Sequence, residues 1–202
     1  LGATVACVLN LSPDHMDRYP NLMAYHQAKH RIFQGCKSAV ANGDDSLTNP
    51  LVPSTVSQVR FSMGDPDVGQ FGLRKVDGEE WLVQGLQPLM KVKHMAMSGR
   101  HNVANALAAL ALGQAVGLPM KAMINAITTF TGLPHRCEQV AIIGGVDYIN
   151  DSKGTTVGAT VAALEGLGPD LTGKIILIAG GVGKGADFSD LVAPLSRYGK
   201  ET

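Results

Sequence analysis

Apolar residues along the chain fall into blocks whose spacing changes from one block to the next. Thr4 to Leu9 is short, β-branched and apolar and is broken by Asn10, Ser12 and Pro13, so it predicts a buried strand running into a loop. Asn21 to Phe33 carries Leu22, Met23, Tyr25, Ala28, Ile32 and Phe33 at mostly helical spacing behind Asn21, a residue type able to cap a helix. Ser38 to Asn42 predicts a second short strand, followed by a turn at Asn42-Gly43-Asp44-Asp45. Between Val56 and Val92 apolar and polar residues alternate with glycine breaks, which predicts small antiparallel strands.

From His101 the period changes. Val103, Ala106, Leu107, Ala109, Leu110, Leu112 and Val116 make a helix that is apolar nearly all round and therefore has to be buried. Gly117-Leu118-Pro119 closes it and Met120 to Phe130 predicts a second helix, after which Thr131-Gly132-Leu133-Pro134-His135 marks a break. Beyond the break come strands around Gln139 to Ile143 and Val146 to Ile149 and a helix near Thr156 to Leu167. A strand at Lys174 to Ala179, a glycine-rich loop and a helix beginning near Phe188 follow. That alternation predicts an α/β fold built on a mostly parallel sheet, with one domain over residues 1–133 and the start of a second over 134–202.

Composition narrows the function classes. With 45% apolar and 17% charged residues the chain is too apolar for disorder, and 17 Lys plus Arg cancel 17 Asp plus Glu. No long-range field is left to draw a nucleic acid or an anionic membrane, so no nucleic-acid partner is expected. No stretch reaches the length of a membrane span. Cys7, Cys36 and Cys137 are odd in number and lack Cys-x-x-Cys spacing, which argues against a disulfide framework or structural zinc and fits a reducing, cytoplasmic setting.

Several polar clusters stand at predicted strand ends, where α/β proteins build ligand sites. In Asn150-Asp151-Ser152-Lys153-Gly154-Thr155-Thr156, Lys153 can pair with an anion, Asp151 can hold a cationic amine, and Thr155 or Thr156 can cap the next helix. Asp14-His15-Met16-Asp17-Arg18-Tyr19 offers carboxylates and an imidazole suited to Mg2+ or a phosphate-bearing substrate, or else is a solvated charged turn. Asn102 and Asn105 lie one turn apart at the start of the buried helix, able to present amides to one ligand, though either can equally be its N-cap. Gly180-Gly181-Val182-Gly183-Lys184-Gly185 has the position of an anion-cradling loop but not a Walker A pattern, because Ile178 and Gly185 stand where Gly and Ser or Thr are required. Arg136 can reach a phosphate or pair with Glu138, and Lys29 alone reads as an exposed helix lysine.

Taken in order, the runs Asn10-Leu11-Ser12-Pro13-Asp14-His15-Met16-Asp17-Arg18-Tyr19, Ala28-Lys29, Ser98 to Ala106, Phe130 to Arg136 and Asn150-Asp151-Ser152-Lys153 resemble the Mur ligases, ATP-dependent amino-acid-adding enzymes of cell-wall precursor synthesis. With Gly180 to Phe188 added, the likeness is to the D-glutamate-adding branch. The resemblance implies ATP and Mg2+ as cofactors, UDP-N-acetylmuramoyl-L-alanine and D-glutamate as substrates, an acyl phosphate on the way to the amide, and a monomer. It implies that Lys29 is a carbamylated lysine which, with His15, helps hold the metal, and that Asn102, Asn105, Arg136 and Asp151 contact ATP. It further implies that Lys153, Thr155 and Lys184 face the incoming amino acid.

Two residues depart from the family pattern: Thr156 stands where Asn is expected and Cys137 where an aromatic is expected. The pattern also places a UDP-binding domain, a P-loop and a metal-ligating Glu ahead of Leu1, so the 202 residues alone are expected to show little ligase activity. The competing readings are a ligase of the same group adding another amino acid or extending folate with glutamate, and a non-catalytic nucleotide-binding module.

Overall fold

The computed structural model describes residues 2–183 and 185–199. The first part is a six-stranded sheet in sequential order: β1 (Val5–Val8), β2 (Ser38–Asn42), β3 (Ser57–Phe61), β4 (Phe71–Val76), β5 (Glu79–Gln84) and β6 (Gln87–Lys91). β1 to β4 pair in parallel, β3 and β4 through Phe61 and Phe71 alone, while β4 to β6 form an antiparallel meander. Parallel neighbours need a crossover, and α1 (Leu22–His30) supplies it between β1 and β2. Asn21 starts that helix as expected, its Oδ1 accepting the Ala24 N–H at 2.9 Å.

One face of the sheet is covered by α2 (Arg100–Ala115), which buries Val103, Leu107, Leu110 and Ala111 against Val40, Phe61, Phe71, Leu82 and Met90. Leu107 and Leu110 are fully buried, and each such side chain stabilises by about 1.5–3 kcal/mol. α3 (Met120–Thr129) adds Met120, Met123, Ile124 and Ile127 to the same cluster. On the other side Ala6, Val8, Phe33, Cys36 and Ala39 form a smaller core under the end of α1.

After the break at 131–135, β7 (Glu138–Ile143) and β8 (Val146–Asn150) form a separate two-stranded sheet, followed by α4 (Val157–Leu167) and, after a 3-10 turn at Ser189–Leu191, α5 (Val192–Tyr198).

Three expectations are corrected. The middle segment is not wholly antiparallel, because β3 lies in parallel register beside β2, from Ser38 opposite Ser57 to Asn42 opposite Phe61. β7 and β8 are not parallel strands of a β-α-β unit: Gly144 and Gly145 both take positive φ, 58° and 79°, the conformation a two-residue hairpin turn requires. The predicted strand at 174–179 is not a ladder strand. Among the described residues it pairs only through Ile175 with Gly199, leaving Ile178 94% exposed, because an apolar run becomes a strand only when a neighbouring strand takes its N–H and C=O groups.

Candidate functional site

β1 and β2 are parallel, so both deliver their chains to the same edge of the sheet. There the loop after β1 is tied to the turn after β2: Asn42 Nδ2 donates to the Leu9 carbonyl at 2.8 Å, and the Leu11 N–H donates to Asp45 Oδ2 at 2.9 Å. The tied loop carries His15 in a left-handed conformation, φ 57°, which its own neighbour supports. Asp14 accepts the His15 N–H at 2.8 Å, and its other oxygen lies 3.3 Å from His15 Nε2.

His15 and Lys29, far apart in sequence, are brought to one aromatic ring. Tyr25 is buried on α1; the His15 imidazole meets it edge-on with centroids 6.1 Å apart, and Lys29, one turn further along, places Nζ 5.1 Å from its centroid. Tyr19 packs on the same ring at 5.2 Å. Sequence reasoning treated Tyr25 only as a helix residue; its position four before Lys29 was the available signal, since i and i+4 share a helix face.

The polar loop 150–156 leaves β8 and is fastened to the break. Cys137 donates its N–H to Asp151 Oδ1 at 3.1 Å, and Lys153 donates its N–H to the His135 carbonyl at 3.0 Å. Asn150 Nδ2 lies 2.9 Å from His135 Nδ1 and donates to it. Burial, reinforced by the Asp151 charge and a hydrogen bond to it, pushes the Cys137 thiol up to about 11. Cys137 here is therefore a held, protonated thiol rather than a nucleophile. The Lys153 and Thr155 side chains are exposed at the loop tip, while Thr156 caps α4 by accepting the Ala159 N–H at 3.2 Å.

α4 packs against α2, and its first turn reaches the loop after β1. A Cβ on Gly158 in its first turn would stand 3.3 Å from Ser12 Oγ, so the loop after β1 and the start of α4 are in contact. Further along, a Cβ on Gly166 would overlap the His101 imidazole, whose Nδ1 is buried without a partner. Burial lowers the His101 pKa and the facing Asp151 carboxylate opposes that shift. His101 thus links α2, α4 and the polar loop, a role its place beside Asn102 did not by itself disclose.

Some predicted roles change. Neither Asn102 nor Asn105 is the N-cap of α2: that position is Gly99, with φ 95°, and Asn102 instead donates Nδ2 to the Ser98 carbonyl at 2.7 Å. Asn105 is exposed one turn on. Arg136 is exposed and pairs with no carboxylate among the described residues; Glu138 accepts the His135 N–H instead, at 2.8 Å. Lys184 lies outside the described residues.

Residues 1–113, which hold the sheet, the His15 loop, Lys29 and the first turns of α2, match the family model described as the Mur ligase middle domain. The chain belongs to the Mur ligase family. It is 57% identical over 195 residues to the UDP-N-acetylmuramoylalanine--D-glutamate ligase of Nitrosococcus oceani, covering 96% of this chain and 43% of that one. It is also 57% identical over 196 residues to the enzyme of the same name from Pseudomonas fluorescens, covering 97% and 44%. The chain thus spans less than half the length of these relatives. Among solved structures, MurF from Acinetobacter baumannii superposes with a TM-score of 0.63 at 19% identity, over 80% of this chain and 36% of that one. MurC from Thermotoga maritima superposes with a TM-score of 0.59 at 23% identity, over 81% and 37%. At those identities the likeness is one of fold, and it covers the α/β Mur ligase architecture with its mostly parallel sheet.

The donor set of this Mur ligase chain bears on a metal. Among the described residues no three His, Cys, Asp or Glu side chains converge, and the Asp14 carboxylate is engaged by His15. Of the oxygen donors a hard ion such as Mg2+ takes, this loop offers the Asp14 carboxylate, and Lys29 would offer oxygens only as its carbamate, since an ammonium has no lone pair to give. No helix among the described residues is long and apolar enough to cross a membrane.

Proposed function

We propose that the protein carrying this chain is the D-glutamate-adding Mur ligase. It would join the amine of D-glutamate to the carboxylate of UDP-N-acetylmuramoyl-L-alanine with ATP consumed through an acyl phosphate, acting as a cytoplasmic monomer. The observation that carries the proposal is the contact of Gly158 with Ser12, which sets the loop of Asp151, Lys153 and Thr155 beside the loop of His15. A ligase of this kind has to bring two anionic reactants together, and cations on one side of a cleft facing a metal shelf on the other are what that requires.

In this reading residues 1–133 contribute the ATP-binding side and residues 134–202 the amino-acid side, a division supported by their separate sheets. Lys29, as its carbamate, and His15 would hold Mg2+, with Tyr25 setting their spacing. The metal, when bound, supplies positive charge to phosphoryl oxygens. Asn102 and Asn105 present amides, and Arg136 and Asp151 contact the nucleotide from the opposite side. Lys153 and Thr155, and Lys184 by its sequence position, receive the D-glutamate carboxylates.

The test is phosphate release by the protein that carries this chain, supplied with ATP, Mg2+, UDP-N-acetylmuramoyl-L-alanine and one amino acid at a time. The expected result is release with D-glutamate, and a rise in its KM of about tenfold or more when Lys153→Ala removes a charge-assisted contact. Release driven equally well by a diamino acid, by a folate acceptor, or by no acceptor would overturn the reading.

A further inference from the structure

Asp45 begins the 3-10 turn Ser46–Thr48 that follows β2, and its two carboxylate oxygens serve different parts of the chain. Oδ1 accepts the Leu47 N–H at 3.0 Å, an ordinary cap that Ser, Thr or Asn could also supply. Oδ2 accepts the Leu11 N–H at 2.9 Å, 34 positions earlier, in the loop that leads from β1 to His15. Leu11 is buried, and an unpaired N–H there would be costly. Both demands call for a carboxylate, because Asn would accept from one N–H and turn an NH2 donor toward the other. The far end of the turn is tied to α1: His30 Nε2 lies 2.8 Å from the Leu47 carbonyl, and since a carbonyl only accepts, the imidazole donates. His30 follows Lys29, so the path His30–Leu47–Asp45–Leu11 runs from the end of the Lys29 helix to the start of the His15 loop. Outside the sheet ladder, the one other hydrogen bond that leaves residues 9–20 among the described residues joins the Leu9 carbonyl to Asn42 Nδ2. Thr48, fully buried, holds the turn itself, its Oγ1 donating to the Asp45 carbonyl at 2.7 Å.

We propose, resting on the ligase reading above, that Asp45 is a positioning residue: it fixes the His15 loop to the helix that carries Lys29, so that the two groups meet the reacting phosphate from a set distance. Asp45 acts through the Leu11 backbone and not on the reactants. The Tyr25 ring also joins His15 to Lys29, but through side chains that can rotate, whereas Asp45 holds main chain at both ends. Where positioning carries much of the rate, a displacement of about 1 Å costs up to a hundredfold.

The experiment is Asp45→Asn in the protein that carries this chain, with Asp44→Asn as its control. Asp44 lies in the same turn, but its Oδ2 accepts the Met63 N–H at 2.7 Å and so holds the end of β3 rather than the loop. Without metal or substrate, and after correction for intrinsic rates, the Leu11 N–H should exchange with deuterium more slowly than that of Ser12 in the unmodified protein. Its exchange should quicken about tenfold or more in Asp45→Asn and stay unchanged in Asp44→Asn. With ATP, Mg2+, UDP-N-acetylmuramoyl-L-alanine and D-glutamate, Asp45→Asn should lower kcat by about tenfold to a hundredfold and raise the Mg2+ concentration that gives half the maximal rate. The KM for D-glutamate should stay within about twofold. A residue that only stabilised the fold would lower the rate through the folded fraction and leave the Mg2+ requirement where it was. The proposal is overturned by Leu11 exchange as fast as that of Ser12 in the unmodified protein, by unchanged exchange in Asp45→Asn, by equal losses in Asp44→Asn, or by a fall in kcat with an unaltered Mg2+ requirement. Absence of D-glutamate-dependent phosphate release from the unmodified protein would sink the ligase reading instead, and the exchange measurement still decides whether Asp45 holds the loop.

Discussion

The N–H of Cys137 donates to Oδ1 of Asp151 at 3.1 Å, and Asp151 also raises the pKa of the Cys137 thiol, by charge and by a side-chain hydrogen bond. That carboxylate therefore pins Cys137 and adds to burial, the larger cause, in holding its thiol protonated. The unfolded thiol ionises near the ordinary cysteine value of 9.0 while the folded one holds its proton up to about 11. In that interval the folded state binds more protons, so stability falls as pH rises from about 9 toward 11. Denaturant melts across that range should show the decline, and Cys137→Ala should reduce it without abolishing it, because burial pushes the Cys7 thiol up to about 11 as well. Asp151→Asn should lower the thiol pKa without restoring the ordinary cysteine value, because burial persists; the pH dependence of Cys137 alkylation measures this.

His101 predicts the opposite slope on the acid side. Burial holds its pKa below the ordinary histidine value of 6.5 and Asp151 only partly offsets the shift, so on acidification the unfolded imidazole takes its proton first. Stability contributed by this residue is present above about 6.5 and is lost as pH falls through the lower folded value. His101→Gln should reduce the slope, and Asp151→Asn should move the His101 titration, followed by NMR, to still lower pH.

Much of this arrangement could be read in the amino-acid order, and the part that could not has a physical cause. β1, β2, α2 and α3 follow from local period and punctuation, since Gly117-Leu118-Pro119 ends one helix and Pro119 is the N-cap of the next. The run at 174–179 carried an equally strong local signal and makes no ladder, because pairing is a property of two segments and the period of one cannot reveal its neighbour. The chemistry divides in the same way. His15 and Lys29 stood out singly, but Tyr25, which brings them together, and His101, which meets Gly166 across 65 positions, act through contacts that no spacing rule encodes. Gly166 inside α4 is explained by the His101 imidazole, which occupies the space of a Cβ, and a Cβ on Gly158 would press to 3.3 Å from Ser12 Oγ.

The meeting of Gly166 with His101 gives a prediction of its own. In a helix interior Gly→Ala ordinarily stabilises by roughly 0.5–1 kcal/mol. At Gly166 the added Cβ would overlap the imidazole, and overpacking costs about 1–3 kcal/mol, so the clash wins and Gly166→Ala should destabilise. In a denaturant-based double-mutant cycle, Gly166→Ala in a His101→Ala background should lose most of its cost. Equal destabilisation in both backgrounds would show that the contact is not what keeps the position small.

Lys29 is exposed, with Nζ 5.1 Å from the Tyr25 ring, so it is open to carbon dioxide and carries no competing ion pair among the described residues. Intact mass measured in bicarbonate should reveal a carbamyl adduct that disappears in Lys29→Gln and persists in Lys153→Gln, an exposed lysine on the other loop.

Thr156, the residue that departs from the family's expected Asn, has a structural task that explains why the change is tolerated. Its side-chain oxygen accepts the Ala159 N–H at 3.2 Å and caps α4, the helix whose first turn meets Ser12. Thr and Asn are both able to cap, and Ala is not, so the position requires an acceptor rather than one particular residue. Thr156→Asn should leave the melting temperature nearly unchanged, whereas Thr156→Ala should cost about 1 kcal/mol and fray the first turn. Hydrogen exchange at Ala159 and Thr160 reads that fraying directly, because their N–H groups are held by the Thr156 side chain and carbonyl. If Thr156→Ala leaves their protection intact, α4 is started by something other than its cap, and the contact with Ser12 becomes the element that fixes the helix in place.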